Sequence, residues 1–363
     1  MKKKLLMTLC SVAVATATLF AVLFVIRGGE EEPKIEEKRF VTYLYNYFDT
    51  VTTITGYAKD GDEFNDIVYE ISELLCEYHE LFDIYNRYAG VENLYTVNKL
   101  YDGAHKTVKV DRKIIDMLLY AKEMYAKTNG KMNIAMGSVL SIWHDYRTAG
   151  IDNPVKAELP PMEMLLDARE HTDIENLIID KENSTVYLAD PQMTLDVGAI
   201  AKGYAVEMIA QYLEKKGVEN FVLNVGGNIR TIGKRADGKF WYAGIENPGL
   251  DIDASYIAYL GLGGESIVTS GSYQRFYFVN GKTYHHIIDG DTLMPAEYFV
   301  AVSIVCQNSA DGDGLSTALF CMPLEEGKAF VESLDGVEAM WTFSDGTTVK
   351  SSGFHIYEEQ YQK

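Results

Sequence analysis

The chain has 363 residues, 47% of them hydrophobic and 24% charged, which excludes a disordered chain, a collagen-like repeat and a disulfide mini-scaffold. Asp and Glu number 53 against 33 Lys and Arg, a net charge of −20. So acidic a chain repels a nucleic-acid backbone, but a single nucleotide held by local donors or a metal is not excluded.

Lys2, Lys3 and Lys4 precede an uncharged run from Leu5 to Ile26 that ends at Arg27. As a helix at about 1.5 Å per residue the run spans about 33 Å, enough to cross a hydrocarbon core. The charge asymmetry orients the rest of the chain away from the cytoplasm. Residues 1–27 read as an uncleaved membrane anchor, with a cleaved signal peptide as the alternative. Residues 28–38 are charged and aperiodic and read as a linker. Residues 39–363 read as one large domain outside the cytoplasm. Three cysteines, Cys76, Cys306 and Cys321, fall in that domain. An odd number argues against a disulfide framework, and no CxxC spacing points to structural zinc.

Phe40 to Tyr57, rich in Val, Thr, Tyr and Phe, predicts a strand or hairpin. Apolar residues from Phe64 to Tyr78 recur at helical spacing and predict a helix over 63–82. A second helix is predicted over 112–127, with Ile114, Leu118, Ala121 and Tyr125 on one face and Gly130 beyond it. The polar stretch 147–183 carries no clear period. Strands follow over 185–188 and 221–225, with a helix over 199–216 between them, stopped by Gly217. Further strands run to Val305, then helices over 314–322 and 324–334. The mixture is α+β, or mixed α/β without clean βαβ alternation.

Phosphate-loop, HExxH and GxSxG signatures are absent. Four other clusters carry chemistry. In T194-L-D-V-G-A-I-A-K-G-Y204, Asp196 and Lys202 flank small residues at a helix start, a setting suited to phosphate, or simply an N-cap with a solvated lysine. N224-V-G-G-N-I-R230 ends a strand in Gly-Gly, which either cradles an anion or makes a tight turn. T269-S-G-S-Y-Q-R275 precedes Y284-H-H-I-I-D289. On a strand His285 and His286 face opposite ways, so one can serve as a general base while the other does not. In A310-D-G-D-G-L-S-T317, Asp313 and Thr317 share a helix face and could give oxygen ligands to Mg2+. The alternative is an acidic loop capped by Asp311 or Asp313.

Taken in this order, the clusters resemble the ApbE family, the FAD:protein FMN transferases. The segments F48-D-T-V-T-T-I-T55 and M132-N-I-A-M-G-S-V-L-S-I-W143 resemble the N-terminal half of that family. The resemblance implies an ApbE-like domain that binds FAD with Mg2+ and transfers FMN to a Thr or Ser hydroxyl of an acceptor protein, releasing AMP. It implies metal ligation by Asp313, Thr317 and the Ala199 carbonyl, and cofactor contacts from Phe48, Met132, Asn133, Asp196, Lys202, Ser270, Gly271 and His286. His286 takes the place of the catalytic base. The implied acceptor is an exported or membrane subunit of an electron-transfer system, and the implied location is a single-pass position at the cell membrane. The chain departs from the family pattern at Phe48, where Met is common, and at Asn133, where Asp is frequent. Gly290 stands where Pro is usual, and Leu293 where Gly is usual. The alternative function is an exported FAD-binding protein without transfer activity.

Overall fold

The computed structural model describes residues 37–100, 103–249 and 254–362. The expected anchor and nearly all of the linker lie outside the described residues. Among the described residues no helix is long and apolar enough to cross a membrane.

The first hairpin joins β1 (Lys38–Tyr47) to β2 (Thr50–Ala58). Both central residues of its turn, Phe48 and Asp49, have φ of 52°. Left-handed backbone at both positions matches the right-handed twist of the strands, but it is uncommon for a bulky residue such as Phe. The turn is tied down from outside, since the Phe48 N–H donates to His79 Nδ1 at 3.3 Å.

Helix α1 (Gly61–Phe82) starts where Asp60 accepts the Glu63 N–H and Glu63 accepts the Lys59 N–H. Its periodic stripe is buried at Phe64, Ile71, Leu75 and Tyr78. After the short α2 (Leu94–Asn98) and β3 (Val108–Lys109), helix α3 (Arg112–Lys127) has the predicted bounds and ends against Gly130 in the left-handed region, φ 82°. The unread polar stretch holds the end of α4 (Gly137–Asp152), α5 (Met162–Arg169) and β4 (Leu177–Asp180). Helix α5 buries only Leu165, so it has little apolar period to read.

β5 (Thr185–Leu188) precedes α6 (Ala201–Lys215), which ends before Gly217. β6 (Phe221–Val225) and β7 (Asn228–Ile232) flank Gly226-Gly227, with φ of 56° and 85°, so this Gly-Gly is a hairpin turn. β8 (Trp241–Glu246), β9 (Tyr256–Leu262), β10 (Ser266–Gly271), β11 (Phe276–Val279), β12 (Lys282–His285) and β13 (Ala301–Cys306) follow.

Helix α7 (Ser309–Phe320) begins five residues before its predicted start. Asn308 is its cap, accepting the Ala310 and Asp311 N–H groups, so the capping role considered for Asp311 or Asp313 is corrected: both lie inside the helix. The chain closes with α8 (Leu324–Glu332), β14 (Glu338–Thr342), β15 (Thr348–Lys350) and α9 (His355–Tyr361).

Eight strands form one sheet in the order β1-β2-β6-β7-β10-β13-β14-β15. β13 is buried along its whole length: Val302 and Ile304 enter the main core, while Val305 joins Ile267, Met340 and Phe354 in a second cluster. A strand covered on both faces reads as an unbroken apolar run, and AVSIVC does so. A third cluster joins Val139, Trp143 and Leu165 of α4 and α5 to Tyr277, Ile288 and Leu293. Leu293 has φ 62°, in the left-handed region that favours Gly. The turn closes nonetheless, through the Leu293 N–H to the Asp289 carbonyl at 2.7 Å and the Asp289 N–H to the Met294 carbonyl at 2.9 Å. Burial of Leu293 and a hydrogen bond from Trp143 Nε1 to its carbonyl hold the strained residue.

Candidate active site

A cavity of about 590 Å³ lies where the β1–β2 turn, the end of α1, the first turns of α4 and α6, the end of β10 and one face of α7 meet. Phe48, Met132, Asn133, Asp196, Ala199, Lys202, Ser270, Gly271, His286, Asp313 and Thr317 all line it. Residues separated by up to 269 positions in sequence thus line one cavity.

One corner is built from α6 and α7. Ile200, at the N-terminal boundary of α6, supplies no side-chain cap, and Asp196 does not cap this helix either. Its Oδ1 instead accepts the Gly198 N–H at 2.9 Å in the preceding turn. In a longer helix the Gly203 N–H would bond to the Ala199 carbonyl; here it donates to Asp313 Oδ2 at 2.7 Å. That leaves the Ala199 carbonyl free of the bond. Lys202 Nζ lies 3.5 Å from Asp313 Oδ1. Thr317, one turn along α7, has its hydroxyl 3.4 Å from Ser270 Oγ. Burial pushes the Asp313 carboxyl above the usual carboxylate range, against the pull of Lys202, the Gly203 N–H and Asn228.

Among the described residues no three His, Cys, Asp or Glu side chains cluster to hold a metal. The donors of this corner are a carboxylate, a hydroxyl and a carbonyl. Such an all-oxygen set fits a hard cation such as Mg2+ and suits softer metals poorly. Behind it, buried Glu207 accepts from Arg230 at 3.1 Å and from the Ser309 N–H at 2.9 Å, and the Ser309 hydroxyl bonds Asn228. This network fixes the start of α7, and with it Asp313.

The histidine pair divides, with His285 the last residue of β12 and His286 in the bend just beyond it. His285 donates from Nε2 to the Ala296 carbonyl at 2.8 Å and accepts the Ile287 N–H at Nδ1, so both nitrogens are engaged. His286 faces the cavity. Its Nδ1 meets the Arg275 carbonyl at 3.2 Å. A carbonyl can only accept, so Nδ1 carries the proton and Nε2 is left as the basic nitrogen. Burial, and then the charges of Arg275, His285 and Arg147, lower the His286 pKa to about 4.

At the β1–β2 turn, the Phe48 ring meets His79 edge-on at 5.7 Å. Met132 is buried. Asn133 reaches the cavity, but its amide is held by the protein: Oδ1 accepts the Ala135 N–H and Nδ2 donates to the Thr172 carbonyl.

Several cavity residues escaped the sequence reading: Lys131, His79, Tyr85, His144 and Arg147, with Arg275 quoted but unassigned. His144 and Arg147 lie in α4, at and just beyond the point where the legible apolar pattern stops at Trp143. Their spacing from Trp143 on a helix was the available signal. Asp196 is pushed up by burial, opposed by the Gly198 N–H and by the charges of His144, Arg275 and Arg147.

The ApbE family model matches residues 48–341. The FAD:protein FMN transferase of Klebsiella pneumoniae (strain 342) is 30% identical over 294 residues, covering 78% of this chain and 87% of that protein. The FAD:protein FMN transferase of Treponema pallidum (strain Nichols) is 33% identical over 261 residues, covering 68% and 70%. The crystal structure of the ApbE protein of Thermotoga maritima superposes with a TM-score of 0.75 at 25% identity, covering 88% of this chain and 99% of that one. The matched span takes in every cavity residue from Phe48 to Thr317, and the chain belongs to the ApbE family.

Proposed function

We propose that the protein transfers FMN from FAD to a Thr or Ser hydroxyl of an acceptor protein, with Mg2+, releasing AMP. Its class is that of its relatives: an enzyme of flavin transfer acting on FAD. The finer reading is carried by one observation, the presence in a single cavity of an oxygen-donor corner and a histidine with a free Nε2.

The acceptor hydroxyl is far too weak an acid to ionise at neutral pH, so a base must take its proton as it attacks. His286 suits that task because it stays neutral until bound phosphate draws its pKa upward. Lys202 adds a cation beside the FAD phosphates. Ala199, Asp313 and Thr317 would hold Mg2+, which when bound neutralises charge on the pyrophosphate and on the departing AMP. The β1–β2 turn with Phe48, together with Met132, gives the apolar wall that a flavin ring requires. Residues 5–26 would anchor the enzyme, and the acceptor would be an exported or membrane electron-transfer subunit.

The test is incubation of the protein with FAD, Mg2+ and an acceptor domain carrying a candidate Thr. The acceptor should gain the mass of FMN and a fluorescent band that survives denaturing electrophoresis, and chelation should abolish both. Tight FAD binding without any mass gain across a panel of acceptors would leave a binding protein instead.

A further inference from the structure

The cations of the cavity wall divide into two groups. Lys202 lies 3.5 Å from Asp313, and Lys131 lies 2.7 Å from Asp291 and 3.6 Å from Asp289. Arg147 and Arg275 have no such partner: among the described residues neither guanidinium has a carboxylate within 4.0 Å. Arg147 Nη2 meets His144 Nδ1 at 3.1 Å, and His144 packs against Tyr85 with ring centroids 5.4 Å apart. That contact and the hydrogen bond orient the Arg147 side chain. An arginine does not shed its charge at working pH, so two of them on one wall repel unless an anion lies between them. The proton affinity of Arg147 is lowered by burial and by Arg275. The Asp196 carboxylate, which accepts the Gly198 N–H, offsets the burial and repulsion at Arg147 only in part.

We propose that Arg147 and Arg275 form a phosphate clamp that takes the non-bridging oxygens of the FMN-side phosphate of FAD. This rests on the flavin-transfer reading above. The choice of phosphate follows from His286, whose backbone N–H and Nδ1 are both held by the Arg275 carbonyl, at 3.1 and 3.2 Å. Arg275 and the base are therefore set by one joint. A hydroxyl within reach of His286 attacks the phosphorus whose oxygens lie beside Arg275. A guanidinium fork matches two phosphate oxygens, which a lysine cannot do. In the transfer the acceptor O–P bond forms and the P–O bond to AMP breaks. The hydroxyl proton passes to His286, and AMP leaves with the electron pair of the broken bond. The clamp holds the phosphate throughout that exchange.

FMN and riboflavin differ only in the phosphate, so their binding to the full-length protein, followed by flavin fluorescence without acceptor, reads the clamp directly. The wild type should prefer FMN by at least about tenfold. Arg147→Gln and Arg275→Gln should cut that preference to about threefold or less, leave riboflavin affinity unchanged and slow transfer on the order of 10²-fold. Arg147→Lys should recover the preference only in part. Arg147→Gln should melt at or above the wild-type temperature, because it relieves repulsion and breaks no ion pair. If it fails to fold, the exposed Arg275 carries the same test.

An unchanged FMN preference overturns the proposal, and so does an equal loss for both flavins. A rise confined to the acceptor KM also overturns it, assigning the arginines to acidic residues of the acceptor. A wild type that prefers FMN but transfers to no acceptor removes the transfer reading and leaves the clamp; one that transfers without preferring FMN removes the clamp alone.

Discussion

His285 and His286 are adjacent in the chain, yet the fold gives them opposite chemistry. Both nitrogens of His285 are bound in the protein, whereas His286 keeps Nε2 free in the cavity. His286→Ala should slow transfer by about 10²–10⁴-fold while FAD binding persists. His285→Ala should instead cost about 1–3 kcal/mol of stability, read by denaturant melting, with the turnover of folded enzyme largely kept. If the two substitutions slow turnover equally, His286 is structural. A base whose pKa is lowered to about 4 is still unprotonated well below neutrality. The acid limb of kcat/KM should therefore lie near pH 4, below the ordinary histidine range, and should vanish in His286→Ala. Asp313→Ala should abolish Mg2+ binding by calorimetry and stop transfer. Activity near normal at low Mg2+ would remove Asp313 from the metal site.

Helices α6 and α7 meet at Gly203, where a Cβ would overlap Asp313 and the Ser309 carbonyl. The absence of a side chain is what lets the Gly203 N–H reach the Asp313 carboxylate. Gly203→Ala should force the helices apart at a cost of about 1–3 kcal/mol and separate Ala199 from Asp313 and Thr317. The observable is a Mg2+ requirement raised at least tenfold in a protein that still folds. Gly217→Ala is the control. It strains a left-handed helix end but has open space around it, so its stability loss should leave the Mg2+ requirement unchanged. Equal Mg2+ curves for the two variants would show that the close approach of the helices does not set the metal corner.

At the scale of the molecule, the cysteines among the described residues, Cys76, Cys306 and Cys321, are free, and burial raises the Cys306 and Cys321 thiols to about 12. Neither is a useful nucleophile in the folded state. A thiol reagent at pH 8 should leave both unmodified until denaturant is added, so rapid native labelling of either would contradict the packing around β13 and α7. The N-terminal run belongs to the same scale, because as the proposed anchor it would decide which acceptors the domain meets. Mass spectrometry of the native protein should find residues 5–26 retained. An N-terminus just after Ala15, Ala17 or Arg27 would convert the anchor into a signal peptide.

Local spacing was enough for everything that depends on a residue and its near neighbours. The stripes of α1 and α3 follow from a period of 3.6 and the β1–β2 hairpin from its β-branched and aromatic content, while His285 and His286 part where β12 ends between them. The ordered clusters also named the cavity wall, since each carries its chemistry within a few residues. Where the chain lacks a local period, nothing could be read: α5 turns almost wholly to solvent, and Arg147 follows the last legible apolar residue of α4. The start of α7 was misread because aspartate and asparagine cap helices alike, and which of them does so is set by the strand the helix leaves. Only the tertiary structure could free the Ala199 carbonyl, commit the amide of Asn133 and leave two arginines without a carboxylate. Each of these depends on which distant donor or acceptor arrives first. That is decided by the order of eight strands and the approach of α6 to α7, not by spacing along the chain.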